Sequence, residues 1–407
     1  MNFVSLPFWV FFGVLLLVKN RTQDRKVLLL LASWVFYAAW DWRFLPLLTA
    51  LSAVVWYLAR RSRPLAGICL CLGALAVFRV MGLSPLGLSF YGLQAISYLL
   101  DVASGRIGFQ SFRDVALYLS FFPTVVSGPI VKARDFFPQL ETERPGDLSY
   151  GIQRFCLGLF KKVVIADRLG LCVDAVFSAP GIYSGASIAL AVLGYAIQIF
   201  CDFSGYSDMA IGLARSLGFD LGENFRKPYG AGSLRDFWRR WHISLSTWFR
   251  EYVYIPLGGS RRGRVWVHLL TVMVLSGLWH GVQGRYLLWG AVHGLLLILE
   301  RRGLRLGRLG TLLAVGLLWI PFRASSLTVA WEVLSRMVTM APGVRYYPVY
   351  VLAFGVPVLL WQVFAREKAW RPLDLTGFPA KVAFCTFLML TFLLAWTGET
   401  AFLYAGF

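Results

Sequence analysis

The stretch at residues 187–203 is SIALAVLGYAIQIFCDF, and only Asp202 in it carries a charge. A helix crosses the hydrocarbon core of a bilayer with about 20 consecutive apolar residues. A run of this length and composition therefore predicts a membrane helix that is tilted or packed among other helices. Similar runs recur along the chain, and this recurrence predicts an all-α integral membrane protein.

Apolar runs of comparable length lie on both sides of this stretch. They are Phe3–Val18, Val27–Trp40, Phe44–Leu58, Pro64–Val80, Pro85–Leu100, Ile152–Leu171, Val265–His280, Tyr286–Leu299, Leu309–Phe322, Val349–Phe364 and Val382–Trp396. Because several are short for a straight crossing, we expect about 10–13 spans together with re-entrant or interfacial helices. No domain-sized linker and no repeat is visible, so we predict a single polytopic domain over residues 1–407.

The composition favours lipid over water as the surrounding solvent. Apolar residues make up 58% of the chain and charged residues 15%, whereas soluble domains average about 25% charged residues. A net charge of +19 raises the question of nucleic acid. The basic residues lie between apolar runs, however, where the positive-inside rule places them. We therefore predict contact with membrane lipid and no nucleic-acid partner.

The same basic residues predict an orientation. Lys19, Arg21, Arg25 and Lys26 follow the first apolar run, which indicates an N-terminus outside and this loop inside. No basic segment precedes Phe3–Val18 and no small-residue cleavage site follows it. We therefore expect a retained first span and not a cleaved signal peptide.

Two stretches are neither clean spans nor ordinary loops. They are Phe121–Leu140 and Asp202–Gly259, and the second is long, semi-polar and rich in Trp and Arg. Polar or irregular backbone at membrane depth persists only where it is buried in protein or lines a wet cavity. The middle of the chain is therefore the predicted functional core.

His280 is the first candidate catalytic residue. It ends an apolar run and lies between Gly277 and Gly281, which on a helix would share a face and let another backbone or a slim substrate approach. An imidazole with an ordinary pKa of about 6.5 can act as a general base near neutral pH. A hydrogen-bonded interfacial histidine remains the alternative.

His242 is the second candidate, in the segment DFWRRWHISLS at residues 236–246. As a helix, this segment would present one face: Trp238, Trp241, His242 and Leu245. Arg239 and Arg240 flank that face and could hold a phosphate-bearing donor through bidentate contacts. An interfacial amphipathic helix with anchoring Trp and snorkelling Arg is the alternative.

The two other histidines carry weaker signals. His293 lies between Gly290 and Gly294, a spacing that favours helix packing. His268 lies near an interface, and we expect it to be solvated or to face lipid.

Basic charge is concentrated around these candidates. Between Arg226 and Arg264 there are nine Lys or Arg residues against two acids, Asp236 and Glu251. Such a stretch could steer an anionic donor such as an acyl-CoA or meet anionic lipid headgroups.

Several common catalytic motifs are missing from the sequence. It contains no G-x-S-x-G nucleophile elbow, no phosphate-binding loop of the Walker type and no dinucleotide fingerprint. The six cysteines form no metal-ligand pattern, and no other cluster of ligating residues stands out. We therefore predict no metal and no permanently bound cofactor.

Three segments in the middle of the chain resemble the membrane-bound O-acyltransferase family, in its branch that O-acetylates alginate. They are NFRKPY at residues 224–229, SLRDFWRRWHISLS at 233–246 and YIPLGG at 254–259. Supporting matches are PLGLSFY at 85–91, SGPI at 127–130, CDFSGYSDMA at 201–210, WHG at 279–281 and PFRA at 321–324. The resemblance covers roughly residues 80–330, and the first 80 residues fit in hydropathy only.

The resemblance implies a fold and a chemistry. It implies a helical bundle around a central tunnel, with His280 as the catalytic residue deep inside and His242 as a second important residue near a cytoplasmic funnel. Acetyl-CoA would be the donor substrate, and His280 would activate an acceptor hydroxyl. The residues that we assign to donor binding are Arg239, Arg240, Trp238, Trp241, Asp236, Asn224, Ser244 and Trp279.

The resemblance also implies a location and partners. It places the chain in a bacterial inner membrane as a multi-pass protein. It implies a periplasmic SGNH-type acetyltransferase partner and a secreted polysaccharide such as alginate as acceptor. The alternatives are D-alanylation of a teichoic acid, a transporter with paired half-helices, and a scaffold without catalysis. The segment Tyr254–Gly259 favours the polysaccharide branch.

Overall fold

A computed structural model of the chain describes residues 1–19, 21–142, 144–261, 263–366 and 369–395. Within these ranges every regular element is a helix, and the sole β-bridge joins Tyr183 to Val344. The predicted all-α fold is therefore confirmed.

The described residues form eighteen α-helices. They are α1 (Leu6–Lys19), α2 (Arg25–Asp41), α3 (Leu45–Arg60), α4 (Pro64–Val80), α5 (Leu88–Ala103), α6 (Phe112–Ser120), α7 (Ala133–Glu141), α8 (Leu148–Phe160), α9 (Asp167–Ser178), α10 (Gly185–Ser216), α11 (Leu234–Arg240), α12 (Ile243–Phe249), α13 (Val265–His280), α14 (Gly284–Arg301), α15 (Gly307–Arg323), α16 (Leu327–Val338), α17 (Val356–Phe364) and α18 (Phe378–Leu394). Three π-helical turns extend these helices, at Lys161–Ala166, Arg250–Tyr254 and Val351–Gly355.

A helix lies at each predicted apolar run, although Trp396, the last residue of Val382–Trp396, lies outside the described residues. By length and composition, two helical stretches of the described chain could cross a membrane, Arg25–Arg60 and Gly185–Ser216. Shorter apolar helices include α1, α4, α13 and α18. The expected 10–13 spans therefore stay a prediction.

The chain separates into two compact units. One comprises Met1–Leu157 and Tyr206–Gly222, and the other comprises Gly158–Gly205 and Glu223–Ala401, as far as these ranges are described. The prediction of a single domain over residues 1–407 stays a prediction. All four histidines belong to the second unit.

The helix α10 is longer than the sequence suggested. We expected a span to end at Phe203 and an irregular segment to begin at Asp202, but the helix continues to Ser216. Its buried carboxylates are neutralised by cations, because Lys162 lies 2.8 Å from Asp202 and Arg154 lies 2.6 Å from Asp208. Paired charges can be buried where isolated ones cannot, so polar residues persist inside this helix.

Close backbone contact joins α13 to α14. A Cβ atom at Gly277 would overlap the carbonyl oxygen of Tyr286, and one at Gly290 would overlap that of Met273. The packing role predicted for Gly290 is thus confirmed. The predicted shared helix face of Gly277 and Gly281 is wrong, because α13 ends at His280 and Gly281 follows in extended conformation with φ 169°.

Replacing Gly290 with alanine should destabilise the second unit. The new methyl group would meet the backbone of Met273, and overpacking of this kind costs about 1–3 kcal/mol. Gly316→Ala is the matched control, since Gly316 also lies in a helix and nothing lies within 4 Å of its Cβ position. We expect a lower thermal unfolding midpoint for Gly290→Ala, measured by tryptophan fluorescence in detergent. Equal midpoints for the two variants would contradict the packing argument.

Candidate functional site

His280 lies at the end of α13 inside an aromatic surround, and only 6% of its surface is exposed. Trp289 and Phe322 meet its ring edge-on, with centroid distances of 5.5 Å and 5.0 Å. The ring of Trp279 lies 4.8 Å away and that of Tyr286 lies 6.4 Å away. This surround holds the imidazole in a low-dielectric environment.

His242 lies at a break between α11 and α12. The expectation of one continuous helix across this segment is wrong, because His242 adopts a left-handed conformation with φ 42° and ψ 57°. Its ring packs edge-on against Phe203 at a centroid distance of 4.6 Å. The backbone N–H of Ile243 donates to the carbonyl oxygen of Asn224, which fixes the turn from outside the segment.

Asn224 and Ser244 hold the imidazole of His242. The side-chain oxygen of Asn224 lies 3.3 Å from Nδ1 of His242. The same oxygen accepts hydrogen bonds from the backbone N–H of Ser244 at 3.1 Å and from its hydroxyl at 3.0 Å. Asn224 is itself 1% exposed, so its amide is a rigid support for the ring.

The environment of His242 favours the neutral imidazole. Burial lowers the pKa of His242 well below its usual value near 6.5, and the nearby His280 lowers this pKa further. His242 lies between two short helices and outside the two stretches long enough to cross a membrane. Burial and the neighbouring His280 therefore both favour the uncharged form of the ring.

One indole lies close to both candidate histidines. The ring centroid of Trp279 lies 6.2 Å from that of His242 and 4.8 Å from that of His280. The structure thus brings together five residues that the sequence singled out: His242, His280, Asn224, Ser244 and Trp279.

A cavity of about 750 Å³ opens beside this group. Among the described residues its charged lining is four arginines and one glutamate: Arg235, Arg239, Arg250, Arg301 and Glu300. The carboxylate of Glu300 accepts hydrogen bonds from the backbone N–H groups of Leu234 and Arg235. The cavity is therefore positively charged and suited to an anion.

The wall of the cavity leads toward His280. The lining residues of α13 include Leu269, Met273 and Ser276, which follow one face of the helix at spacings of three and four. His280 is the next residue on that face, about 6 Å further along the axis at about 1.5 Å per residue.

Residues 18–340 match the model of the MBOAT, membrane-bound O-acyltransferase family. The chain belongs to this family. The match also covers most of the first 80 residues, where the sequence resembled the family in hydropathy only.

Two of the relatives are named as O-acetylating enzymes. The chain is 38% identical to the probable alginate O-acetylase AlgI of Pseudomonas fluorescens, over 82% of this chain and 74% of the relative. It is 33% identical to the peptidoglycan O-acetyltransferase of Helicobacter pylori, over 83% of this chain and 78% of the relative. This family member is therefore an O-acyltransferase and a membrane protein.

A third relative bears on the alternative that we left open. The chain is 30% identical to the teichoic acid D-alanyltransferase of Bacillus subtilis, over 53% of this chain and 58% of the relative. The match is shorter and weaker than those to the O-acetylating proteins. D-alanylation therefore fits this family member less well.

The residues predicted to bind a donor do not all line the cavity. Trp238 and Arg239 do. Arg240 instead forms an ion pair with Asp236 at 2.8 Å along α11. Trp241 is 2% exposed and packs against Trp319 at 5.0 Å, so it belongs to the aromatic core. α11 ends at Arg240, and Trp241 follows it in an extended conformation, outside the helix that carries Trp238.

Other residues near the site were not predicted from the sequence. Arg250 and Arg301 line the cavity, and Trp289 contacts His280. Trp289 precedes His293 by one helical turn, a spacing that could have pointed to a shared face. His268, expected to be solvated or lipid-facing, is buried, and its Nδ1 lies 3.0 Å from the carbonyl oxygen of Gly259.

Removing the amide of Asn224 should disturb His242. Asn224→Ala removes a buried acceptor, and each such hydrogen bond contributes about 1 kcal/mol. We expect acyl transfer to fall about tenfold or more with normal expression in the membrane. Ser244→Ala, which leaves the contact between Asn224 and His242 in place, should have a smaller effect. Equal activity of Asn224→Ala and the wild type would contradict the supporting role.

Proposed function

We propose that this chain transfers an acetyl group from cytoplasmic acetyl-CoA for the O-acetylation of a secreted polysaccharide such as alginate. The observation that carries the proposal is the cationic cavity whose wall, on α13, leads to His280. A charged recognition region and a buried base at opposite ends of one helix face suit a donor with an anionic head and a reactive tail.

The cavity matches the head of such a donor in charge and size. A volume of about 750 Å³ lies within the range of small-molecule pockets, about 300–1,000 Å³. Arginine binds phosphate through paired hydrogen bonds, and Arg235, Arg239 and Arg250 all line the cavity. The acetyl thioester would extend along α13 toward His280, through the tunnel that the family resemblance implies.

His280 supplies the chemistry in this proposal. Its imidazole takes the proton from an acceptor hydroxyl as the oxygen attacks the thioester carbonyl. A carbon–oxygen bond forms, the carbon–sulfur bond breaks, and the proton passes from His280 to the departing thiolate of coenzyme A. His242, whose ring lies 6.2 Å from that of Trp279, is the second functional histidine in this proposal.

The acceptor side is proposed from the resemblance and the relatives together. The names of two relatives specify alginate and peptidoglycan, so we propose a saccharide polymer as the final acceptor. A periplasmic SGNH-type partner would complete the transfer, with the chain crossing a bacterial inner membrane several times. Apolar side chains exposed on the helices support lipid contact, among them Leu6, Leu17 and Val80.

Removing the imidazole of His280 should abolish O-acetylation. General base catalysis contributes about 10²–10⁴-fold, so we expect His280→Ala to lose at least about a hundredfold. The measurement is the O-acetyl content of the exported polysaccharide, with membrane expression checked by immunoblot. The matched control is His268→Asn, which keeps a donor for the carbonyl of Gly259 and should retain activity. Unchanged acetylation in His280→Ala would instead favour a scaffold or transporter.

Removing cavity arginines should weaken donor binding more than turnover. We expect Arg239→Ala to raise KM for acetyl-CoA about tenfold with little change in kcat, since a charged hydrogen bond contributes about 1.5–3 kcal/mol. The control is Arg305→Ala, because Arg305 is exposed and does not line the cavity. S-acetyl-pantetheine lacks the nucleotide phosphates, so Arg239→Ala should not change its KM. Equal effects on both donors would contradict phosphate binding by Arg239.

A further inference from the structure

A third buried histidine lies close to the site and takes no part in the proposed chemistry. His293, on α14, is 1% exposed, and neither of its ring nitrogens has a hydrogen-bond partner among the described residues. A neutral imidazole has one donor and one acceptor. Burying such groups without partners destabilises a protein, so His293 requires another polar partner.

Two neighbouring indole N–H groups also lack a hydrogen-bond partner. Within the described ranges, Nε1 of Trp238 and Nε1 of Trp289 are buried and have no hydrogen-bond acceptor. The ring of His293 lies 5.2 Å from that of Trp238 and 4.9 Å from that of Trp289, and the two indoles are 5.7 Å apart. We call Trp238, Trp289 and His293 the polar aromatic cluster. Together they offer three hydrogen-bond donors, two indole N–H groups and one imidazole N–H, and one acceptor, the other imidazole nitrogen.

The cluster lies between the cavity and His280. Trp238 lines the cavity, and Trp289 meets His280 edge-on at 5.5 Å. His293 is therefore within about 10 Å of His280, ring centre to ring centre. The lining residues Leu297 and Arg301 follow His293 on the same face of α14 at spacings of four. A chain that runs from the cavity to His280 would pass this cluster.

We propose that the polar aromatic cluster binds the amide of the donor's pantetheine arm that lies nearest the thioester. This inference rests on the proposed acetyl-CoA donor. An amide carries one acceptor and one donor, so its carbonyl can accept from an indole N–H while its N–H donates to His293. The amide nitrogen is separated from the sulfur by two carbons, about 4 Å at about 1.5 Å per bond. That separation fits a thioester at His280 and an amide at the cluster.

His293 is a positioning residue in this scheme. It would set how far the pantetheine arm extends, so that the acetyl carbon lies beside His280. It would take no part in making or breaking bonds. The hydrogen bonds replace water that the arm loses on entering an aromatic channel, where an unpaired amide is costly to bury. The protein should therefore bind donors that carry this amide more tightly than donors that lack its N–H.

The test measures binding of two unreactive pantetheine thioethers in place of thioesters. One has the natural amide and the other has an ester at the position nearest the sulfur, which keeps the carbonyl and removes the N–H. Full-length protein in nanodiscs should bind the amide compound about tenfold more tightly, the equivalent of one well-placed hydrogen bond. His293→Phe should bind the two compounds equally, and His293→Gln should recover part of the preference. An unchanged preference in His293→Phe would overturn the proposal, as would equal binding of both compounds by the wild type.

A conservative indole change protects the test against a folding failure. Trp238→Phe removes the N–H and keeps an aromatic ring, and it should weaken binding of both compounds by a similar factor because both retain the carbonyl. Trp331→Phe is the matched control, since Trp331 is 69% exposed and lies outside the cavity. Equal binding by Trp238→Phe and Trp331→Phe would overturn the role of the indole. If the wild type binds neither acetyl-CoA nor the amide thioether, the proposed donor fails; if it binds both without preference for the amide, only the cluster assignment fails.

Discussion

The close approach of α13 and α14 is the constraint on which the site depends. Two glycines, Gly277 and Gly290, let the backbones touch, and every larger residue at these positions would separate the helices. This contact sets the end of α13, where His280 lies, against the turn of α14 that carries Trp289. It also places the lining residues of both helices around one cavity.

Hydropathy predicted the helices because their formation depends mainly on local sequence. Apolar runs must form internally hydrogen-bonded helices in lipid, so each run gave a helix near the expected position. The errors arose where distant contacts decide the backbone. The helix α10 continues past Asp202 because Lys162 pairs with that carboxylate, and the helix expected through His242 breaks where Asn224 binds the turn.

The site was predictable in part for the same reason. His280 and His242 were singled out by their glycine and tryptophan neighbours and by a family resemblance that the family match confirms, while their roles stay a proposal. The sequence did not single out Arg250 and Arg301, since nothing local distinguishes an arginine that lines a cavity from one that faces lipid. It assigned His293 to helix packing and not to the site. Only packing shows that the tryptophan before His293 contacts His280.

The left-handed backbone of His242 affects how substitutions there can be interpreted. At φ 42° a side chain with a Cβ is strained by about 1–2 kcal/mol, and asparagine and glycine tolerate this region best. Alanine would therefore remove the imidazole and keep the strain, while glycine would remove both. A β-branched residue would add a further steric penalty. Comparing asparagine with glycine would separate the contribution of the side chain from that of the turn.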